Sequence, residues 1–138
     1  MKKKIITTRA LVMKDAEQIK EIDSNGEFEI FGFIEDMLEE GEQDYAYGIF
    51  LGDFLVGYCT IGGADDIECA ECDDELLGDV YIREDYRGQG YGKQLVEYAL
   101  SQHSKHNIYA DILYDELESF YEQFGFVRKE LGLLLLKR

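Results

Sequence analysis

The chain has 138 residues, of which 46% are hydrophobic, and 30 acidic side chains against 14 basic ones leave a net charge of -16. That length and apolar content fit one α/β-sized domain spanning residues 1–138 with a packed core, and they exclude a disordered chain. The acidity disfavours double-stranded nucleic acid and anionic membrane as partners and favours a cationic small molecule or basic peptide, although surface acids also serve solubility alone.

Lys2, Lys3 and Lys4 resemble the start of a secretory signal, but Arg9 and Lys14 interrupt the apolar stretch that follows. No signal peptide and no membrane span are expected. With three cysteines, an odd count, a cytoplasmic protein with reduced thiols is the expectation. "KIITTRALV" (Lys4–Val12) reads as a first strand. Asp15 with Gln18 reads as a capping box for a short helix carrying Ile19 and Ile22. Asn25-Gly26 breaks the chain, and Ile30, Phe33, Ile34, Met37 and Leu38 then recur at helical spacing.

"YAYGIFL" and "FLVGYCTIG" are two strands split by Gly52-Asp53, a hairpin signal. In the second, Cys59 is placed on one face with Leu55, Gly57 and Ile61. "GADDIECAECDDE" is an acidic connection, and "LLGDVYI" is a strand. "REDYRGQGYG" turns that strand into a helix through Gly88, Gly90 and Gly92. "NIYADILY" is the next strand. Asp115 with Glu118 reads as a second capping box. The helix it opens has Leu117, Phe120, Tyr121 and Phe124 on its apolar face and ends at Gly125, a C-cap residue. "FVRKE" and "LGLLLLKR" are the last strands. The order β-α-α-β-β-β-α-β-α-β-β predicts a mixed central sheet flanked by helices.

A strand that enters a helix through glycines is the layout of an anion site. The first amides of the helix have no intrahelical partner and point out along the positive end of its dipole. Two nucleotide motifs fail here. Gly92-Lys93 is followed by Gln94, and Arg87 stands where a Walker loop needs its first glycine. A dinucleotide fingerprint starting at Gly88 meets its third glycine one residue early, and one starting at Gly90 requires a glycine where Leu95 stands.

The corner and the later "FYEQFGF" together carry a resemblance. Arg87, Gly90 and Gly92 match the Q/R-x-x-G-x-G/A pattern of the GNAT superfamily of acyl-CoA-dependent N-acyltransferases. Phe120, Tyr121, Gly125 and Phe126 match a second family pattern, and the element order is also similar. The resemblance spans nearly the whole chain.

It implies N-acetyl transfer from acetyl-CoA to a primary amine, with acetyl-CoA as cosubstrate and no metal. Carried over residue by residue, Arg87, Gly88, Gln89, Gly90, Tyr91, Gly92 and Lys93 would receive the coenzyme A pyrophosphate. Val80, Tyr81 and Ile82 would run beside the pantetheine arm, with the Ile82 amide at the thioester carbonyl. Tyr121 would protonate the leaving thiolate. Some family members have a glutamate base where this chain has Leu76, which leaves Glu75 and Asp79 as candidates for the base. Tyr114 stands where the family often has an asparagine that touches the cofactor. The acceptor pocket implied by the family draws on the first two helices and nearby loops, which here carry Glu27, Glu29, Glu35, Asp36, Glu39 and Glu40, so a cationic acceptor is expected. A non-catalytic acyl-CoA-binding module is the rival reading. Monomer and homodimer both stay open.

Cys69-x-x-Cys72 and His103-x-x-His106 contain the ligand types of a zinc site, but the histidine spacing is short for one. Free thiols, a disulfide and metal ligation stay open for the cysteine pair, with free thiols favoured. The histidines are expected to lie near a helix C-terminus and interact with its dipole.

Overall fold

A computed structural model of the protein describes residues 4–22, 45–112 and 114–138. The second predicted helix, with Ile30 to Leu38 and the acids from Glu27 to Glu40, lies outside the described residues, as does Asn25-Gly26. In chain order the elements are β1 (Ile6–Ala10), α1 (Ala16–Ile22), β2 (Tyr45–Leu51), β3 (Phe54–Gly63) and β4 (Glu75–Ile82). They continue as α2 (Tyr91–Gln102), β5 (Ile108–Asp111), α3 (Glu118–Glu122), β6 (Val127–Glu130) and β7 (Leu133–Leu136). Short 3-10 turns at Met13–Asp15 and Asp115–Leu117 lead into α1 and α3.

The strands form one mixed sheet in the order β1-β2-β3-β4-β5-β7-β6. β4 and β5 are parallel, and every other neighbouring pair is antiparallel. Gly52, at φ 58, makes the tight β2–β3 turn that pairs Leu51 with Phe54. Helix α2 lays Leu95, Val96, Ala99 and Leu100 on one sheet face, against Ile49, Val56, Cys59, Ile61 and Leu77. Helix α1 packs Ile19 on the other face, with Leu11, Phe50, Leu55 and Tyr58.

Leu55 and Cys59 therefore lie in different clusters, not on one face as strand alternation predicted. Phe50 pairs with Leu55 and Ile49 with Gly57, so Val56 is an extra residue in β3. One extra residue reverses the in–out phase of everything beyond it.

The helix starts also differ from the predicted capping boxes. Asp15 accepts the Val12 amide at 2.9 Å and two guanidinium hydrogen bonds from Arg9 at 2.8 Å. Gln18 instead ties α1 to the hairpin, donating to the Asp53 carbonyl and accepting the Leu55 amide, both at 2.8 Å. At the second site neither Leu117 nor Tyr114 makes a side-chain cap, and Glu118 pairs with Arg128 of β6. In both places a long-range partner outcompetes a local backbone amide, because a charged or bifunctional partner binds more strongly than one exposed N–H.

Desolvation alone would raise the pKa of the buried Asp15. The Arg9 and Val12 hydrogen bonds outweigh it and hold the carboxyl below the ordinary aspartate value. Asp15→Asn should cost about 1–3 kcal/mol of unfolding free energy at neutral pH. A carboxylate with a depressed folded pKa contributes its full stability above the unfolded value of about 3.9, and that contribution is lost as pH falls through the folded value. Urea titrations should therefore show the gap between wild type and variant closing under acid. A gap independent of pH would mean that the Arg9–Asp15 pair does not stabilise the fold electrostatically.

Candidate active site

β4 pairs with β5 only through Glu75–Ile108, Leu76–Tyr109 and Leu77–Ala110. β5 then stops at Asp111, shorter than the 107–114 strand read from the sequence, and the Ile112 amide turns to the Gly132 carbonyl at 2.9 Å. β4 runs on to Ile82 with β3 as its sole partner among the described residues, so the two strands open like a V. The Arg83 amide donates to Val56 of β3 at 2.9 Å. Backbone alternation along a strand therefore turns the Ile82 N–H to the open side. On that side the Ile82 carbonyl accepts from Arg87 Nε at 2.8 Å.

At the end of β4 the glycine corner leads into α2. Gly88 and Gly90 have φ of 75 and 88, a left-handed backbone that favours glycine, and nothing lies within 4 Å of where their Cβ atoms would be. Gly90 is the N-cap, and its carbonyl closes the first helical turn with the Gln94 amide at 3.1 Å. The amides of Tyr91, Gly92 and Lys93 are left without intrahelical partners, and the first turn carries no acid. They border a cleft of about 400 Å³ whose lining includes Ile82, Arg87, Gly88, Gly90, Lys93 and Phe120. The Tyr91 ring packs edge-on to Tyr86, and the Gln89 amide folds back to the Asp85 carbonyl at 3.2 Å.

A second cavity, of about 240 Å³, adjoins it and shares Ile82, Arg87, Gly92 and Phe120. Val80, Leu117 and Tyr121 complete its lining. The two form one groove from the glycine corner along the open edge of β4 to helix α3. Tyr121 is 8% exposed and held edge-on by Phe120 and Phe126, with ring centroids 5.3 and 5.8 Å away. Burial, then the nearby Cys59 and Asp79, push its pKa up to about 12, so its hydroxyl stays protonated across the physiological range.

Asp79 sits in a bulge of β4, where its amide donates to Thr60 Oγ1 at 3.1 Å. The residue reaches solvent, yet enough protein crowds the carboxyl that desolvation raises its pKa above the ordinary aspartate value. The Tyr81 ring stacks on Tyr58 on the opposite sheet face and lies 5.3 Å from the Arg87 guanidinium, so it lines neither cavity itself. Tyr114 is 64% exposed and lines neither cavity.

Glu75 is not brought to the groove. It starts β4 while Ile82 ends it, a separation of roughly 20 Å along a strand. Its Oε2 lies 2.7 Å from Nδ1 of His103, the buried C-cap of α2, and His103 Nε2 lies 2.6 Å from the Tyr47 hydroxyl of β2. Burial raises the Tyr47 pKa well above the ordinary value, so the phenol stays protonated, and the imidazole bridges it to the Glu75 carboxylate through its two ring nitrogens. No sequence spacing signals this chain, because its members are 28 and 56 positions apart. His103 does lie at the helix end, as expected, but it is bonded on both sides.

All three cysteines are free thiols. Cys59 is buried, which pushes its pKa up to about 12. Cys69 and Cys72 are exposed, and Cys69 Sγ lies 3.9 Å from the Tyr109 hydroxyl. His106 and Cys72 line a separate acidic cleft. Among the described residues no three His, Cys, Asp or Glu side chains converge as a metal site, and no helix is long and apolar enough to cross a membrane.

A family model for an acetyltransferase (GNAT) domain matches residues 42–128. No curated protein matches the chain. Among solved structures, an acetyltransferase from Thermus thermophilus superposes with a TM-score of 0.76 at 22% identity, covering 100% of both chains. A GNAT family N-acetyltransferase from Escherichia coli in complex with CoA gives 0.75 at 17% identity, covering 99% of this chain and 83% of that one. A GNAT family acetyltransferase from Brucella melitensis in complex with acetyl-CoA gives 0.70 at 18% identity, covering 96% and 88%. At such identities the likeness is one of fold.

The placement of Glu75 makes it structural. Glu75→Gln should lower unfolding stability by about 1–3 kcal/mol, because the amide cannot replace the charge-assisted bond to His103. Amide exchange should quicken at the C-terminal turn of α2 and stay unchanged at the glycine corner. Wild-type stability in this variant would remove the Glu75–His103–Tyr47 chain from the forces holding α2 on the sheet.

Proposed function

The chain belongs to the GNAT acetyltransferase family, and from that premise we propose that it transfers the acetyl group of acetyl-CoA to a primary amine on a cationic acceptor. The observation that supports this reading above the others is the continuous groove. It joins helix amides without intrahelical partners at one end, a strand edge unpaired among the described residues in the middle and a protonated tyrosine at the other end.

In this reading the coenzyme A pyrophosphate lies at the α2 N-terminus, against the Gly88–Lys93 backbone, with Arg87 and Lys93 nearby. The pantetheine arm lies along Val80 to Ile82 and takes the place of the missing β5 partner. The Ile82 N–H faces the thioester carbonyl and stabilises the oxyanion of the tetrahedral intermediate. The amine enters as the free base, and its nitrogen forms a bond to the carbonyl carbon. The nitrogen becomes cationic, and its N–H is far more acidic than that of a free alkylammonium ion. Asp79 takes that proton directly or through a water, the C–S bond breaks, and Tyr121 gives its proton to the leaving sulfur. The products are an amide and the free thiol of coenzyme A. The base role falls to Asp79 because Glu75 is committed to His103. The net charge of -16 supports a cationic acceptor through long-range attraction.

Two experiments test the reading. Gly90→Val places a β-branched residue at φ 88 and blocks backbone approach to a phosphate. Calorimetry should show coenzyme A affinity at least about tenfold weaker. Gly52→Val, also at a positive φ of 58 but in the β2–β3 turn, should keep it. Equal affinity in the two variants would rule out the pyrophosphate site.

The second experiment is acetyl-CoA turnover over a panel of primary amines. Tyr121→Phe should lower kcat by about 100-fold while leaving coenzyme A affinity intact. The wild-type rate should fall as pH drops through the raised Asp79 value, since the base acts ionised. Asp79→Asn should be slow at every pH and lack that limb. Tight acetyl-CoA binding without turnover on any amine would replace this reading with a non-catalytic acyl-CoA-binding module.

A further inference from the structure

We propose that Thr60 is a positioning residue for this groove: its hydroxyl holds the β4 bulge that sets which β4 side chains and amides face the ligand. The inference rests on the acyl-transfer reading above for its catalytic consequence, but not for its geometry.

Three observations meet at Thr60. Cys59 pairs with Val80 and Ile61 with Leu77, so Thr60 alone stands opposite both Gly78 and Asp79. The Asp79 amide goes to Thr60 Oγ1 at 3.1 Å, a side-chain acceptor in place of a ladder carbonyl. Thr60 is 5% exposed, so its hydroxyl is held away from solvent against β4, where it accepts this amide. Finally, a Cβ on Gly78 would lie 2.6 Å from the same Oγ1. The hydroxyl occupies the space that a side chain at position 78 would fill, and Gly78 and Thr60 fit one another as a lock.

The consequence is visible in which side chains share a face. Leu77 and Val80 are three positions apart, yet both pack toward α2. A regular strand would turn them to opposite faces, because its side-chain period is two. The extra residue restores Val80 and Ile82 to the groove side and turns Tyr81 to the other face, against Tyr58. Lose the bulge, and every residue from Val80 onward changes sides. The wall of the groove, the Ile82 amide and the Asp79 carboxyl would all be misplaced, while the glycine corner, built on α2, would stay.

Thr60→Val keeps the shape and removes the acceptor, whereas Thr60→Ser keeps the hydroxyl. With acetyl-CoA and an accepted amine, the Val variant should lose at least about tenfold in kcat, since misplacement of about an ångström is enough. Its KM for acetyl-CoA should rise by a smaller factor, because Val80 to Ile82 carry the pantetheine arm while the glycine corner still holds the pyrophosphate. The Ser variant should recover most of the rate. Amide hydrogen exchange supplies a readout independent of turnover: Asp79 should lose protection in Thr60→Val and keep it in Thr60→Ser. Gly78→Ala pushes the hydroxyl aside by a second route and should expose the same amide. A Val variant with wild-type kcat and a protected Asp79 amide would overturn the inference. Exchange behaving as expected, in a protein that acetylates no amine at all, would support the lock and overturn the acyl-transfer reading instead.

Discussion

Past Leu77, β4 keeps its antiparallel partner β3 and loses its parallel partner β5. An unpaired strand edge inside a sheet is costly if it is buried, because each amide and carbonyl gives up its bond to water without a replacement. The chain meets this constraint by leaving the edge open. β5 ends early because the Ile112 amide bonds to Gly132, whose φ of 78 turns the chain there. Arg87 covers the Ile82 carbonyl from the corner. What remains is a slot whose floor is backbone, with hydrogen-bonding groups at strand spacing and apolar walls from Val80, Phe120 and Leu117. Such a slot suits a ligand that is itself extended and carries amides.

The open edge would be floppy if β4 were not held firmly from the other side, and the β3 side is built for close approach. A Cβ on Gly57 would run into the Tyr81 carbonyl, so the two strands touch there as only a glycine permits. Below them Cys59, Val56 and Ile61 are fully buried under α2. At the far end, the Glu75–His103–Tyr47 chain ties the start of β4 and the end of α2 to β2. The same helix is thus fixed at its C-terminus by a buried polar chain, while the first amides at its N-terminus lack intrahelical partners. That asymmetry suits α2 to support an anion, since its N-terminal amides need not also hold the helix in place.

Much of this is legible in the sequence, and the reasons for the rest are local. The glycine corner can be read because positive φ and close backbone approach select glycine over every other residue, at Gly88 and Gly90 alike. Strands β2, β4 and β7 can be read because their apolar runs are bounded by turns. The length of β5 cannot, because "DILY" has the composition of a strand and stops being one only through the Ile112 bond to Gly132, across a chain reversal. The bulges are invisible for a similar reason. Nothing in "FLVGYC" marks Val56 as the extra residue, so alternation puts Leu55 on the face of Cys59 while the fold packs it on the other. Glu75 draws attention as a carboxylate near a position where one is useful, and only the fold reveals a buried imidazole 2.7 Å away. Gln18 and Glu118 behave alike. Local capping patterns are read correctly as chemistry, and a distant partner takes the side chain.

Charge adds a last constraint. An acidic protein repels a polyanion at long range, so a phosphate-bearing cofactor must be received by something local. The segment from Arg83 to Lys93 holds three bases and two acids, and the first turn of α2 holds no acid. Helix amides add a positive end whose influence fades within about a turn. Screening at physiological salt confines the opposing acids to about 8 Å, so the two fields coexist on one surface. Beside the other end of the groove the carboxyl of Asp79 acts electrostatically on the neutral hydroxyl of Tyr121, and desolvation raises the pKa of each. The glycine corner of the groove therefore favours an anion, while the bulge beside its other end carries the Asp79 carboxyl. In acyl transfer to an amine the phosphates stay still while positive charge develops on the attacking nitrogen. A fixed positive end and a fixed negative end match that distribution without any rearrangement during the reaction.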